Sequence, residues 1–586
     1  MKLSLFSQYL QRLEKTTLRN EITEILASLF KEANQREIDK IAYLCLGRLA
    51  PSFTGIEFNL AEKTMLKIIA LAFNQAPAKV LVHFKKSGDL GLTAFFFKNK
   101  KKQVKSKMTV IGLYDQLYKI AKLKGLGSQK QKTKLMADLV RQTPLEFVKY
   151  LVRIPIGRLR LGFSDLTVLD ALSWMESNSK KLRPQIEAAF SVSADAGLIA
   201  KTFKVKGLKG LKAIRSRPGI PILPAKAGRL KDAQSIIDKL RKCMVEPKID
   251  GFRVQIHIDR KPKKGAAESF VKIFSRNLED TTTMFPDIVK AALRLLSKNK
   301  NLKNCILDGE AVGMDLVNNK PLSFQKTAQR KRKYDIGKIS REVPLVVFVF
   351  DLLFYNNQSL LNYTSKERRK KLAQIFNPPA GGQNNFLRLI PQKIIADSKK
   401  LKKEFDRIVA QGWEGVMCKR LDSVYQPGAR NFNWVKLKRA MDSQLTDTID
   451  CLVLGYYRGK GKRTDFGIGA FLVGVYDSKK EQFATIAKIG TGLTDAQWVV
   501  LRKKCDSVKT EKKPKRYWVD KNLYPDVWCL PKVVVEIKAD EITKSPIHTA
   551  SLGLALRFPR LERFRDKKVE EVTSTTEVLQ LFQNQK

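Results

Sequence analysis

Glu246-Pro247-Lys248-Ile249-Asp250-Gly251-Phe252-Arg253 runs into the alternating segment Val254-Gln255-Ile256-His257-Ile258. A lysine therefore stands just before or at the start of a strand, beside a turn that glycine permits. Such a placement suits a nucleophile. An amine at the ordinary lysine pKa of about 10.4 is almost wholly protonated at neutral pH, so attack requires burial or neighbouring cations to depress it. Arg253 is one such cation in sequence. A surface turn is the plain alternative, since a chance Lys-x-Asp-Gly-x-Arg in so basic a chain is on the order of one in a hundred.

The chain of 586 residues is too long for one core, and its 43% hydrophobic content is enough to fold three domains. Lys and Arg number 111 against 57 Asp and Glu, a formal charge of +54. That excess repels itself unless a polyanion or counterions neutralise it, which makes nucleic acid the leading partner over acidic membrane surfaces. No apolar run reaches the roughly 20 residues of a spanning helix; the longest, Val343 to Tyr355, contains Pro344 and Asp351. Met1-Lys2-Leu3-Ser4-Leu5-Phe6 leads into charged helical sequence rather than a signal peptide, and the expectation is a cytoplasmic, nucleoid-associated protein. The 7 cysteines lie far apart, and only 3 histidines are present. That pattern argues against a disulfide framework, structural zinc and catalysis built on histidine.

From Met1 to about Thr202 apolar residues recur at helical spacing, as in Leu10, Leu13, Leu18, Ile22, Ile25 and Leu29, with Ser164 a cap for a later helix. This predicts an all-helical domain. The cluster Lys98 to Lys107 reads equally as a solvated loop or a duplex contact, and Gly88-Asp89-Leu90-Gly91 and Arg153 to Gly162 as glycines beside cations along a phosphate track. Residues 204–229, with Gly207, Gly210, Pro218, Gly219, Pro221 and Pro224, read as a linker. Mixed strands and helices follow over 230–440, and strand-dominated sequence with glycine turns, suggesting a small barrel, over 441–586.

Chemistry-bearing residues cluster at strand ends. Ser275-Arg276-Asn277 closes one strand, and Asp308-Gly309-Glu310 puts two carboxylates on one face, suited to Mg²⁺ or a ribose hydroxyl. Phe350 could stack on a base, although in the apolar run Phe348-Val349-Phe350 a core position is its default. Glu414 adds a third acidic position, and Lys436 and Lys438 share a strand face that fits a phosphate. Near the C-terminus Arg557, Arg560 and Lys567 gather cations where they could meet a leaving pyrophosphate, with Glu562 interrupting the run.

In order and spacing these segments resemble the covalent nucleotidyltransferases, specifically ATP-dependent DNA ligases of the archaeal and eukaryotic replicative type, over nearly the whole chain. The resemblance implies a multidomain fold: an all-α DNA-binding domain (1–203), an α+β adenylation domain (230–440) and an all-β OB-fold domain (441–586). It implies sealing of nicked double-stranded DNA in replication, repair and recombination, with ATP and Mg²⁺ as cofactors, a monomeric protein and a sliding clamp as a possible partner. Lys248 would attack the α-phosphate to form lysyl-AMP, and Glu246 would accept from the adenine amino group. Arg253 and Glu310 would hold ribose and phosphates, Arg276 the nick 5′-phosphate, and Phe350 would stack on adenine. Glu310 and Glu414 would bind the metal, and Lys436 and Lys438 would neutralise the α-phosphate. Arg557, Arg560 and Lys567 would orient pyrophosphate after a swing about a hinge near Arg439 to Gln444.

RNA ligases and RNA-capping guanylyltransferases share the Lys-x-Asp-Gly chemistry, but the helical first third disfavours both. NAD-dependent ligases are disfavoured by the lack of a zinc-binding cysteine set. A basic architectural DNA-binding protein is the non-enzymatic rival. It predicts no covalent nucleotide.

Overall fold

The computed structural model describes residues 1–100, 107–157, 159–260, 270–332, 335–376, 386–438, 448–459, 463 and 466–585. They fall into two compact units, Met1–Ile68 with Lys101–Arg439, and Ile69–Lys100 with Ala440–Lys586. The expected hinge at Arg439 to Gln444, and residues 101–106 of the basic cluster, lie outside the described residues.

In the first unit, amphipathic helices fold the N-terminal segment as the periodicity predicts. Leu3–Lys15 buries Phe6, Leu10 and Leu13, and Arg19–Glu32 buries Ile22, Ile25, Leu26 and Leu29. Two local expectations need correction. Arg153 is buried: its guanidinium donates to Glu14 at 2.7 Å, and Tyr150 donates to the same carboxylate at 3.0 Å. A buried arginine committed to a half-buried carboxylate holds the helices together and is withdrawn from any phosphate track. Ser164 does stand at the N-cap of Asp165–Ser177, but its side chain makes no cap bond.

The stretch read as a linker is structured at both ends. Ala196–Lys212 continues as helix past a break at Gly207 (φ 54°), and Lys226–Arg229 enters a sheet. That sheet and a second one frame the central part. The strands in chain order are β1 (Lys226–Arg229), β2 (Cys243–Lys248), β3 (Phe252–Asp259), β4 (Phe270–Ser275), β5 (Asn304–Asp315), β6 (Lys320–Pro321), β7 (Leu345–Tyr355), β8 (Gln358–Ser359), β9 (Leu387–Leu389), β10 (Lys393–Ile395), β11 (Gly415–Arg420) and β12 (Arg430–Lys438). One sheet runs β1-β12-β11-β2-β10. The other runs β4-β3-β5-β7-β8, with β6 on β5 and β9 on β7. Ile256, Ile273, Leu307 and Val349 of the second sheet pack on Ile288, Ala292 and Leu372, which lie on the helices Pro286–Lys298 and Ser365–Phe376.

Lys248 ends β2 rather than opening β3. Pro247, which lacks a donor and argues against a strand, conceals β2 from the sequence. It is tolerated because β10 pairs only with Cys243, Met244 and Val245, leaving the Pro247 end a neighbour on one side only. The turn that follows needs Gly251, where a Cβ would lie 2.2 Å from the Ala311 carbonyl oxygen.

The second unit is β-rich. Its central antiparallel sheet is built on β13 (Ile449–Tyr457), β14 (Ala470–Asp477) and β15 (Gln482–Ile489). Opposite β14, β13 pairs first with Val534–Lys538 and then with Val527–Cys529, so the sheet divides and curls around Val453, Phe471, Ile486, Trp498 and Val535. Arg560–Arg565 extends it beyond Val534–Lys538. Helices Pro77–Ser87 and Leu90–Asn99 also belong to this unit, joined through Gly88 (φ 65°) and Asp89, whose carboxylate caps Leu92 N–H at 2.6 Å. All seven cysteines are buried free thiols, and His257 is enclosed, its pKa pushed down to about 3 by burial.

Candidate active site

Three neighbouring strands of the first sheet set the floor of a cavity through their register. Met244 of β2 faces Lys419 of β11, which faces Trp434 of β12; Glu246 faces Met417 and then Lys436; Lys248 faces Gly415 and then Lys438. Because side chains alternate faces along a strand, these nine positions share one face, in three rows spaced by about 7 Å. The middle of the last row must be glycine. Gly415 has φ 147°, and a Cβ there would meet the Leu437 carbonyl oxygen at 2.2 Å.

The cavity above the floor has a volume of about 400 Å³ and is lined by Glu246, Lys248, Arg253, Arg276, Glu310, Phe350, Lys436 and Lys438, among others. The structure thus brings together eight residues singled out from sequence, drawn from β2, β3, β5, β7 and β12 and from the end of β4. Glu414 joins them from just before β11: its carboxylate pairs with the ammonium groups of both Lys248 and Lys438. Burial raises the Glu414 carboxyl, but the two lysines overcome that and hold it below the usual carboxylate range.

Opposite the floor, Arg253 spends its donors within the wall. It reaches Asp308 at 2.9 Å, the Ala225 carbonyl at 2.7 Å and the Tyr425 hydroxyl at 3.2 Å, and its charge lies 5.4 Å from the Phe350 ring centre. Read from sequence as a cation beside Lys248, it is neutralised by Asp308, the carboxylate two residues before Glu310 on the same face of β5. Among the described residues no cation pairs with Glu310 in this way. Burial pushes its pKa up to about 7, against the pull of Arg253 and Lys248. Lys436 moves the other way, lowered by burial and by the charges of Lys438 and Lys248.

At the other end of the floor the groups are closely satisfied. Lys419, 3% exposed, lies 2.8 Å from Glu246 and donates to the Phe350 carbonyl at 3.0 Å. Phe350 stands edge-on to Trp434, with ring centres 5.9 Å apart. Lys419 and Tyr425 were missed in the sequence. Lys419 follows Gly415 and Met417 at the same alternation that marks Lys436 and Lys438, and that period was the available signal.

Arg557, Arg560 and Lys567 lie in the second unit. There Arg557 pairs with Glu541 at 2.5 Å, Arg560 with Asp540 at 3.1 Å and Lys567 with Asp450 at 2.9 Å, while Glu562 is exposed. No group of three His, Cys, Asp or Glu that could hold a metal ion occurs among the described residues. The donors facing the cavity fit a hard cation all the same: Glu310 is an enclosed carboxyl whose ionisation awaits a positive charge, and phosphate oxygens could complete the shell.

Residues 2–173 match the DNA ligase N terminus family, 224–438 the ATP dependent DNA ligase domain and 464–568 the ATP dependent DNA ligase C terminal region. A probable DNA ligase of Dictyoglomus thermophilum is 44% identical, covering 99% of this chain and 97% of that protein. A DNA ligase of Sulfolobus acidocaldarius is 36% identical over 100% of this chain and 98% of its own length. The solved structure of Pmar-Lig_PreS3 shares the fold, with a TM-score of 0.56 at 18% identity over 96% of this chain and 99% of that one.

Proposed function

This chain belongs to the ATP-dependent DNA ligase family, and from that premise we propose that the cavity performs the ligase's chemistry with Lys248 as nucleophile. The lysine Nζ attacks the α-phosphorus of ATP, the bond to pyrophosphate breaks, and the amine proton is lost as the phosphoramidate forms. AMP then passes to the 5′-phosphate of nicked DNA, freeing Lys248. The neighbouring 3′-hydroxyl attacks that phosphorus, loses its proton, and AMP departs from the sealed strand.

The observation that carries this reading is the last row of the floor. Lys248 and Lys438 stand on either side of a bare glycine and are held by one carboxylate, so cations converge where charge develops in phosphoryl transfer. Lys436, one row back, adds a third. Glu246 accepts from the adenine amino group, Phe350 packs on the base, Arg253 braces the wall beneath the ribose, and Arg276 meets the nick phosphate. Mg²⁺, held by Glu310 and Glu414 with the triphosphate, supplies neutralising charge to the phosphates when bound. Arg557, Arg560 and Lys567 orient pyrophosphate. We assign 1–203 to duplex binding, 230–440 to adenylation and 441–586 to an OB fold, on the strength of the three family matches, and take the enzyme to act as a monomer in replication, repair and recombination.

The test is to incubate the protein with ATP labelled at the α-phosphate and then to add unlabelled nicked duplex. The expected result is label on Lys248, released as AMP on sealing. In Lys248→Ala both labelling and sealing fall by at least about 10⁴-fold, with the thermal transition unchanged. Label retained by K248A would falsify the assignment.

A further inference from the structure

The base end of the cavity contains a buried cation that the chemistry above does not use. Lys419 stands in the middle of the floor's first row, its ammonium 2.8 Å from Glu246 and 3.0 Å from the Phe350 carbonyl, and 4.8 Å and 4.7 Å from the ring centres of Phe350 and Trp434. One charge thus ties together the carboxylate read as the base acceptor and the backbone of the ring read as the base platform. We propose that Lys419 is the positioning residue that makes this site select a 6-aminopurine: it keeps Glu246 an acceptor-only carboxylate, so that a 6-amino group is taken and a 6-oxo group refused. This rests on the reading of Glu246 as the group that meets the base.

The chemistry is one of donors and acceptors. An ionised carboxylate only accepts, whereas a protonated one carries a donor. Facing a 6-oxo purine, the ionised form sets oxygen against oxygen, and the protonated form makes a bond. Glu246 is 2% exposed, and burial leaves its carboxyl above the usual carboxylate range; Lys419 and then Arg369, at 3.9 Å, limit that rise. Asp351 on β7 pushes the other way, but its charge is engaged by Arg368 at 2.7 Å. On the floor the next charges are Lys248 on the same strand and Lys436 across Met417. Removing Lys419 therefore removes the nearest charge that keeps Glu246 ionised. With only Arg369 left, at 3.9 Å, the buried carboxyl takes up a proton more readily.

The experiment compares ATP with inosine triphosphate, which differs at position 6 and has no 2-amino group, as donors for labelling Lys248 at pH 6 and pH 8. In Lys419→Met the ratio of kcat/KM for inosine triphosphate over ATP is expected to rise at least about tenfold at pH 6, the worth of one hydrogen bond. The rise is smaller at pH 8. Lys419→Arg, which keeps the cation, returns the wild-type ratio. Glu246→Gln, which carries a permanent donor, raises the ratio at both pH values, and adding K419M to E246Q changes it no further. A K419M ratio equal to wild type at both pH values, or a K419R ratio like that of K419M, overturns the proposal while leaving Glu246 in place. An unchanged ratio in E246Q overturns the reading of Glu246 itself. Should K419M fail to fold, the double variant carries the test, and a ratio different from that of E246Q overturns the proposal.

Discussion

The two ends of the cavity floor are built on opposite plans. At the base end, Lys419 meets Glu246 and the Phe350 carbonyl, and Trp434 closes edge-on against Phe350. At the chemical end, Lys248 and Lys438 divide one carboxylate, Lys436 has its charge disfavoured by both, and Glu310 has its charge disfavoured by burial. The first end is complete before a nucleotide arrives. The second is left electrostatically unsettled, so that a polyanion and its cation relieve it. Selectivity benefits from groups that do not move, and phosphoryl transfer from charge held ready for the transition state.

The sharpest way to break this contrast is at Glu414. Glu414→Ala frees two lysines to repel each other and removes the proposed metal donor, and self-adenylylation is expected to fall by about 10²- to 10³-fold. Single-turnover labelling at saturating ATP measures it; a variant within a factor of three of wild type would mean that the shared carboxylate is incidental.

Lys436 sharpens the contrast through pH. Its pKa lies below the ordinary lysine value because of burial, Lys438 and Lys248, so its cation is lost as pH rises through that lowered value. Labelling should decline on the alkaline side. Lys436→Arg, which stays charged, should abolish that decline, and Lys436→Met should lower the rate by about tenfold to a hundredfold and flatten it. A decline that persists unchanged in K436R assigns it to another group.

Glu310 tests whether the chemical end is strained in the nucleotide-free protein. Its folded pKa of about 7 lies above the ordinary 4.5, so between those values the unfolded chain ionises while the folded one stays neutral. Stability contributed by this group is full below pH 4.5 and is lost as pH rises to 7. Glu310→Gln should therefore stabilise the nucleotide-free protein at pH 8 by about 3 kcal/mol and leave it unchanged near pH 4, while adenylylation collapses. Denaturant unfolding at the two pH values decides it.

The smallest effects belong to the second unit. Arg560 and its partner Asp540 are about 40% exposed, so Arg560→Ala should cost less than about 1 kcal/mol of stability. If it serves pyrophosphate, labelling by ATP slows while sealing of nicks already carrying AMP does not.

Alternation with period two made much of the site legible: it paired Lys436 with Lys438 and Asp308 with Glu310 on common faces, and the structure keeps those pairings. What local sequence does not encode is register between distant strands. That Lys248, Gly415 and Lys438 form a row depends on hydrogen bonds between segments about 170 residues apart, and that Arg253 is consumed by Asp308 depends on the same kind of fact. Composition concealed other features. Pro247 masked β2, the alternation that carries Lys419 was lost among 111 basic residues, and nothing local marks Arg153 as the partner of Glu14, 139 residues away. The helical expectation for the first 200 residues held because amphipathic periodicity is local; that residues 69–100 group with the C-terminal unit is not.

Met417 stands at the centre of the nine-position floor, with Glu246 on one side and Lys436 on the other, and carries no charge. Shortening it would enlarge the binding site without disturbing a single ion pair on that face. An enzyme trimmed there becomes a starting point for accepting nucleotide donors with bulkier, tagged bases.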